Sequence, residues 1–220
     1  TPLYSSAASD VYKRQIPLIK NFHENLFKDI TRILTVSDAD AKGFKEFGCS
    51  DKQLKVVGDT RFDRVHQKSL KAKESRLLKD EFLQNKKVIV AGSTWSNDED
   101  VLLPAYAKMT KYVDNLILII APHEPTLLNI ERIENELYRH CRTIRFSHVH
   151  NYKDEKVIIV DSIGILMTLY SYADVAFIGG GFKTNVHNVL EAAVYGVPVL
   201  FGPKIDNSQE ACLLYTSPSP

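Results

Sequence analysis

Residues 116–121 read LILIIA, six apolar side chains in succession. A strand points successive side chains to opposite faces, so a run with no polar residue on either face must be covered on both sides. That is the situation of an interior strand in a parallel sheet with helices above and below. Comparable short runs rich in β-branched residues stand at 33–36, 54–57, 87–91, 156–160, 175–178 and 197–201, and most of the segments between them carry helical spacing. In 126–139, Leu127, Ile130, Ile133 and Leu137 share one face while Glu131, Arg132, Glu134 and Glu136 lie elsewhere. Alternation of this kind builds a doubly wound α/β fold. The spacing predicts an N-terminal piece of one or two strands, a long charged helix over 64–84, and a second sheet of about five strands.

Bulk properties narrow the function. The chain has 220 residues, 44% of them hydrophobic, enough to bury one large domain or one and a half small ones. A net charge of +1 argues against a nucleic-acid partner, for which a marked basic excess is expected. No apolar run is long enough to span a bilayer, and the N-terminus lacks the pattern of a signal peptide. Cys49, Cys141 and Cys212 are odd in number and widely spaced, which suggests a reducing compartment without a disulfide framework. The ends, 1–15 and 212–220, show no periodicity and read as non-native tails, with a helix-like run ending after Ala211.

In parallel sheets ligands sit beyond the carboxyl ends of the strands, so the residues after each strand are the informative ones. Four such junctions carry glycine or polar chemistry: Gly92, Ser93 and Thr94; Pro122 and His123 in PHEP; Ile163, Gly164 and Ile165 in DSIGIL; and the GGG run that contains Gly180 and Gly181. Each alone reads as a turn. Together they describe a nucleotide site, because backbone amides exposed at helix starts attract anions. Gly92 is expected to let backbone approach a ligand, the glycine run to form a flexible loop, and Asn188 to open the last long helix. Glu191, one turn further on beside Val189 and Leu190, suits a sugar hydroxyl rather than a phosphate.

The blocks VVGDTRFDRV, VAGSTWSNDED, VDSIGILMTLYSYADVAF and ADVAFIGGGFKTNVHNVLEAAVYGVPVLFGP, in this order, resemble the 3-deoxy-D-manno-octulosonic acid (Kdo) transferases. The resemblance covers essentially all of 16–211. It implies a GT-B glycosyltransferase, mainly the C-terminal Rossmann-like nucleotide-binding domain (64–211), with a remnant of the N-terminal acceptor domain at 16–63. It also implies transfer of Kdo from CMP-Kdo to a lipid A precursor at the cytoplasmic face of the inner membrane, with membrane contact through the N-terminal region and no metal or other cofactor. By position, Pro122, His123, 163–165 and 188–191 contact CMP, with Glu191 on the ribose. Gly92, Ser93, Thr94, Gly180, Gly181 and His187 belong to the donor loops, and Arg61 stabilises the charge that develops on the departing phosphate.

Three positions depart from the commonest family pattern: APHEP lacks an arginine, Ile165 replaces a glutamate, and Trp95 stands where a histidine is common. The family's general base, a glutamate of the acceptor domain, is expected upstream of this chain, which is therefore expected to bind nucleotide without transferring sugar. The segment 64–87, with eight Lys and Arg against three Asp and Glu, reads as a solvated linker rather than a membrane-binding face. His148 and His150 fall short of a metal site and read as loop, and Cys49 and Cys141 read as packing residues. Two other readings of the same residues are a GT-B enzyme using a UDP-sugar and a noncatalytic sugar-nucleotide-binding module.

Overall fold

The computed structural model describes residues 17–206 and 208–216. The chain forms two compact units that divide after Arg64. The first contains α1 (Pro17–Lys28), β1 (Ile33–Thr35), α2 (Asp38–Lys45) and β2 (Leu54–Val56). Its two strands pair in parallel, with Ile33 opposite Leu54. Ser37 starts α2 because its hydroxyl accepts from Asp40 N at 3.1 Å while Asp40 returns a carboxylate oxygen to Ser37 N at 3.0 Å, a reciprocal cap. Phe27, Phe44 and Phe47 pack edge to face beside His23. A 490 Å³ hollow floored by Phe27, Phe47 and Cys49 lies here, without any residue that the motifs single out.

Helix α3 (Thr60–Glu74) leads into the second unit, followed by α4 (Asp80–Leu83), β3 (Lys87–Thr94), α5 (Ser96–Met109), β4 (Leu116–Pro122) and α6 (Leu127–Leu137). Then come β5 (Thr143–Arg145), a 3-10 helix (Phe146–Asn151), β6 (Val157–Ile159), α7 (Leu166–Tyr170), β7 (Val175–Ile178), α8 (Leu190–Ala193), β8 (Val199–Phe201) and α9 (Gln209–Thr216). The strands form one parallel sheet in the order β5-β6-β4-β3-β7-β8. The doubly wound α/β expectation is met. All seven residues of β4 are buried, with Ile117 and Ile119 in the core on one face and Leu118 and Ile120 in the core on the other. Burial on both faces is what removes polar residues from this run, at about 25 cal/mol for each Å² of apolar surface taken from water.

Several local expectations are corrected. The sheet has six strands rather than about five, because β5 is a short strand held by its register with β6. The helix expected over 64–84 instead spans Thr60–Glu74 and breaks before Asp80–Leu83. At the break Tyr172 Oη accepts from Leu77 N at 2.9 Å and Leu78 N at 3.3 Å, and Leu78 turns into the core. The helix after Asn188 is four residues long, since the chain tightens into bonds from Tyr195 N to Ala192 O and from Gly196 N to Ala193 O. Gly196 then takes φ +72°, ahead of Pro198, which has no N–H to continue a helix. His148 and His150 lie in the 3-10 helix rather than in irregular loop. The C-terminal helix continues past Ala211 to Thr216; residues 1–15 and 217–220 of the expected tails lie outside the described residues.

Candidate functional site

The site is built where β3, β4, β6 and β7 end. Strand β3 runs on through Gly92, Ser93 and Thr94, which the sequence places in a loop, and the pairing with β4 skips Ser93, whose φ is +54°. Thr94 is buried, and its hydroxyl donates to Glu99 Oε1 at 2.6 Å. Glu99, also buried, receives Arg132 on its other oxygen, so the Thr94 hydroxyl is spent inside the protein. Gly92 is closely packed, for a Cβ there would lie 2.0 Å from the hydroxyl of Tyr170. Burial, and then the field of Glu191, push the Tyr170 phenol well above its usual range.

The glycine run is fixed by Asp98, not flexible. This fully buried carboxylate accepts from Gly180 N at 2.7 Å, Phe182 N at 3.1 Å and Trp95 N at 2.9 Å. One side chain at the start of α5 thereby ties down the loop after β7. A Cβ on Gly179 would lie 2.2 Å from Ser93 O, and one on Gly181 2.6 Å from Gly202 N. These glycines exist so that two backbone segments can touch.

Above this platform three rings meet. Trp95 Nε1 donates to His187 Nε2 at 2.9 Å, and the two ring planes lie within 22° of parallel. His123 stacks on both, with centroids 4.5 Å from Trp95 and 4.4 Å from His187. Lys183 Nζ lies 3.2 Å from the Trp95 ring centroid, within the range of a cation–π contact. Burial and the neighbouring His123 lower the pKa of His187, Lys183 adds to this, and Asp98 opposes it. A neutral His187 is what the bond from Trp95 requires, because Nε2 must keep its lone pair.

Two clefts share Gly164 and Leu166, and the smaller has His123 of the ring cluster in its wall. The smaller, 130 Å³, is lined by Ser93, Pro122, His123, Ser162, Ile163 and Gly164. The larger, 520 Å³, is lined by Gly164, Met167, Thr168 and Glu191 together with Lys68, Lys71 and Ser75 of the segment that begins with α3. Gly164 has φ +84° with nothing near its Cβ position, and Ile163 is 81% exposed. Asn188 Nδ2 donates to Glu191 Oε1 at 3.2 Å while Asn188 Oδ1 accepts from Leu190 N at 3.1 Å, so the Asn188 side chain orients the carboxylate and closes the turn before α8.

The family model of 3-deoxy-D-manno-octulosonic-acid transferase (kdotransferase) matches residues 5–64. The 3-deoxy-D-manno-octulosonic acid transferase of Rickettsia bellii is 29% identical over 197 residues, covering 87% of this chain and 45% of that protein. That of Haemophilus influenzae is 25% identical, again over 87% of this chain and 45% of the relative. This chain is related to the Kdo transferases. It spans less than half the length of these curated relatives. Among solved structures, the C-terminal CMP-Kdo binding domain of WaaA from Acinetobacter baumannii superposes with a TM-score of 0.54 at 24% identity, over 68% of this chain and 76% of that one. At that identity the likeness is one of fold, and it agrees with the Rossmann-like α/β fold expected of this part of the chain.

Of the residues that the Kdo transferase resemblance singles out, the structure gathers Ser93, Pro122, His123, Ile163 and Gly164 around one cleft and Gly164 with Glu191 around the other. Ile165, Asn188, Val189, Leu190, Gly92, Thr94, Gly180, Gly181 and His187 line neither; Val189 and Leu190 are buried in the core. Arg61 belongs to the first unit, where Asp59 engages its guanidinium at 2.6 Å and is itself held below the usual carboxylate pKa by that contact. Sequence reasoning missed Asp98 as the anchor of the glycine loop, the Trp95–His187 bond, and the two lysines in the larger cleft. Cys49 is buried and Cys141 half-buried, and burial raises both thiols, in keeping with packing roles. No group of three or more His, Cys, Asp or Glu side chains placed to hold a metal ion exists among the described residues, and no described helix is long and apolar enough to cross a membrane.

Proposed function

We propose that the second unit binds CMP-Kdo, as the donor-handling part of a glycosyltransferase that passes Kdo to a lipid A precursor at the cytoplasmic face of the inner membrane, without a metal. The observation that carries this is the junction of the two clefts at Gly164. The smaller one, walled by Pro122, His123 and Ile163, suits a flat base. The larger one presents Glu191, oriented by Asn188, as an acceptor for ribose hydroxyls. Such a site takes a nucleoside by shape and hydrogen bonding. The names of the relatives add the sugar and the cytidine nucleotide to this chemistry.

The test is a titration of the purified chain with CMP and, separately, with UDP, following the fluorescence of Trp95, which stacks on a wall of the smaller cleft. Saturable change with CMP and none with UDP is the expected result. Response to UDP alone would overturn the assignment, and silence to both from a chain shown to be folded would overturn the placement of the site.

A further inference from the structure

Helix α3 supplies something that its charged sequence hides. Val65, Ser69 and Ala72 are its buried stripe within the second unit, which fixes how the helix is turned. Lys68 and Lys71, three residues apart, are neighbours on the helix surface and both reach the larger cleft. Neither forms an ion pair among the described residues. Across the cleft stand Glu191 and the open backbone at Gly164. The ionic groups lining it are thus two cations and one carboxylate, set apart on different elements.

We infer that Lys68 and Lys71 form an anion subsite that holds the phosphate of the bound nucleotide. The inference rests on the reading of this cleft as a nucleotide site and goes beyond it by naming the groups that take the charge. Glu191 repels an anion and favours hydroxyls, whereas two unpaired ammonium groups attract an anion and do little for a diol. A cavity with both kinds of group selects a ligand that carries hydroxyls at one end and an anion at the other. A nucleoside monophosphate is such a ligand, and 520 Å³ is within the usual range for a small-molecule site. The segment 64–87 is then more than a solvated linker: its net positive charge brings two of its lysines to the site.

The experiment is calorimetric titration of the full chain and of the double variant K68A/K71A with CMP and with cytidine, which lacks the phosphate. The lysines are exposed on a helix, so the variant should fold, and a thermal melt checks this. The wild-type chain is expected to prefer CMP over cytidine by about tenfold or more, as charge-assisted contacts to a phosphate allow. The double variant should lose most of that preference and leave cytidine affinity unchanged. K68R/K71R, which keeps the charge, should restore it, and added salt should erode the preference in the wild-type chain and in K68R/K71R but not in K68A/K71A. A CMP preference that survives K68A/K71A would overturn the lysine assignment while leaving the nucleotide site intact. A wild-type chain that binds neither ligand would overturn the nucleotide site and the subsite with it.

Discussion

Two glycine positions follow strands in this sheet and do opposite work. Gly179 to Gly181, after β7, have no room for a side chain because the chain itself fills the space, and Asp98 pins the loop through two of its amides. Gly164, after β6, has open space around it and sits where two clefts join. In the sequence both look like phosphate-loop glycines. The contrast teaches that a glycine after a strand marks close approach, and only the surroundings say whether protein or ligand does the approaching.

Substitutions break or sharpen this contrast. Asp98→Ala should have the largest effect, because it removes a fully buried carboxylate and leaves its three backbone donors without an acceptor. A loss of about 3 kcal/mol is expected in urea unfolding, together with loosening of the glycine loop. Gly179→Ala comes next: its Cβ would collide with Ser93 O, and a loss of about 1–3 kcal/mol should appear as a lowered Tm. Gly164→Ala meets no atom and should cost only about 1 kcal/mol, from its left-handed backbone. A larger loss for Gly164→Ala than for Gly179→Ala would break the comparison. Ile163→Ala should change stability by less than about 0.5 kcal/mol yet weaken CMP binding, since the side chain is exposed at the rim of the cleft.

The ring cluster adds a pH test. The folded chain disfavours protonated His187, so its contribution to stability is fully present above pH 6.5, the ordinary value, and is lost as the pH falls towards the lower folded pKa. Trp95 fluorescence should shift with a midpoint below pH 6.5 as the bond from Trp95 to His187 breaks, and His187→Gln should abolish that transition. A midpoint above this value would mean that the cation is favoured and would refute the neutral assignment.

How much was legible in advance follows from how local each cause is. The strand β4 announces itself because every residue of 116–121 is apolar, and α6 because Ile130, Ile133 and Leu137 repeat at helical spacing; the carboxylate at Glu191 and the rim at Ile163 come from local motifs. Strand β5 does not, since Thr143–Arg145 is three residues with a charged end, defined by pairing with Val157–Ile159 and by two 2.7 Å bonds from Arg145 to Glu134. Asp98 reads as one acidic residue among several at a helix start, where such residues are common anyway. Its partners in the glycine loop lie 82 and 84 residues away in the chain. The rings of Trp95, His123 and His187 come from three separate segments, so no spacing rule reveals their stack. Lys68 and Lys71 look like any other exposed charges until the fold puts Glu191 across from them.

The position of β3 between β4 and β7 sets an order of events during folding. Its pairing with β4 closes over a short crossover, but the β7 side waits for residues far along the chain, as the 86-residue separation between Val88 N and its partner Asp174 shows. Until β7 arrives, β3 presents a bare apolar edge, the kind of edge on which a second nascent chain can dock. Asp98, waiting at the start of α5 for the amides of Gly180 and Phe182, is then a latch that rewards only the correct strand and converts a sticky intermediate into a finished mouth.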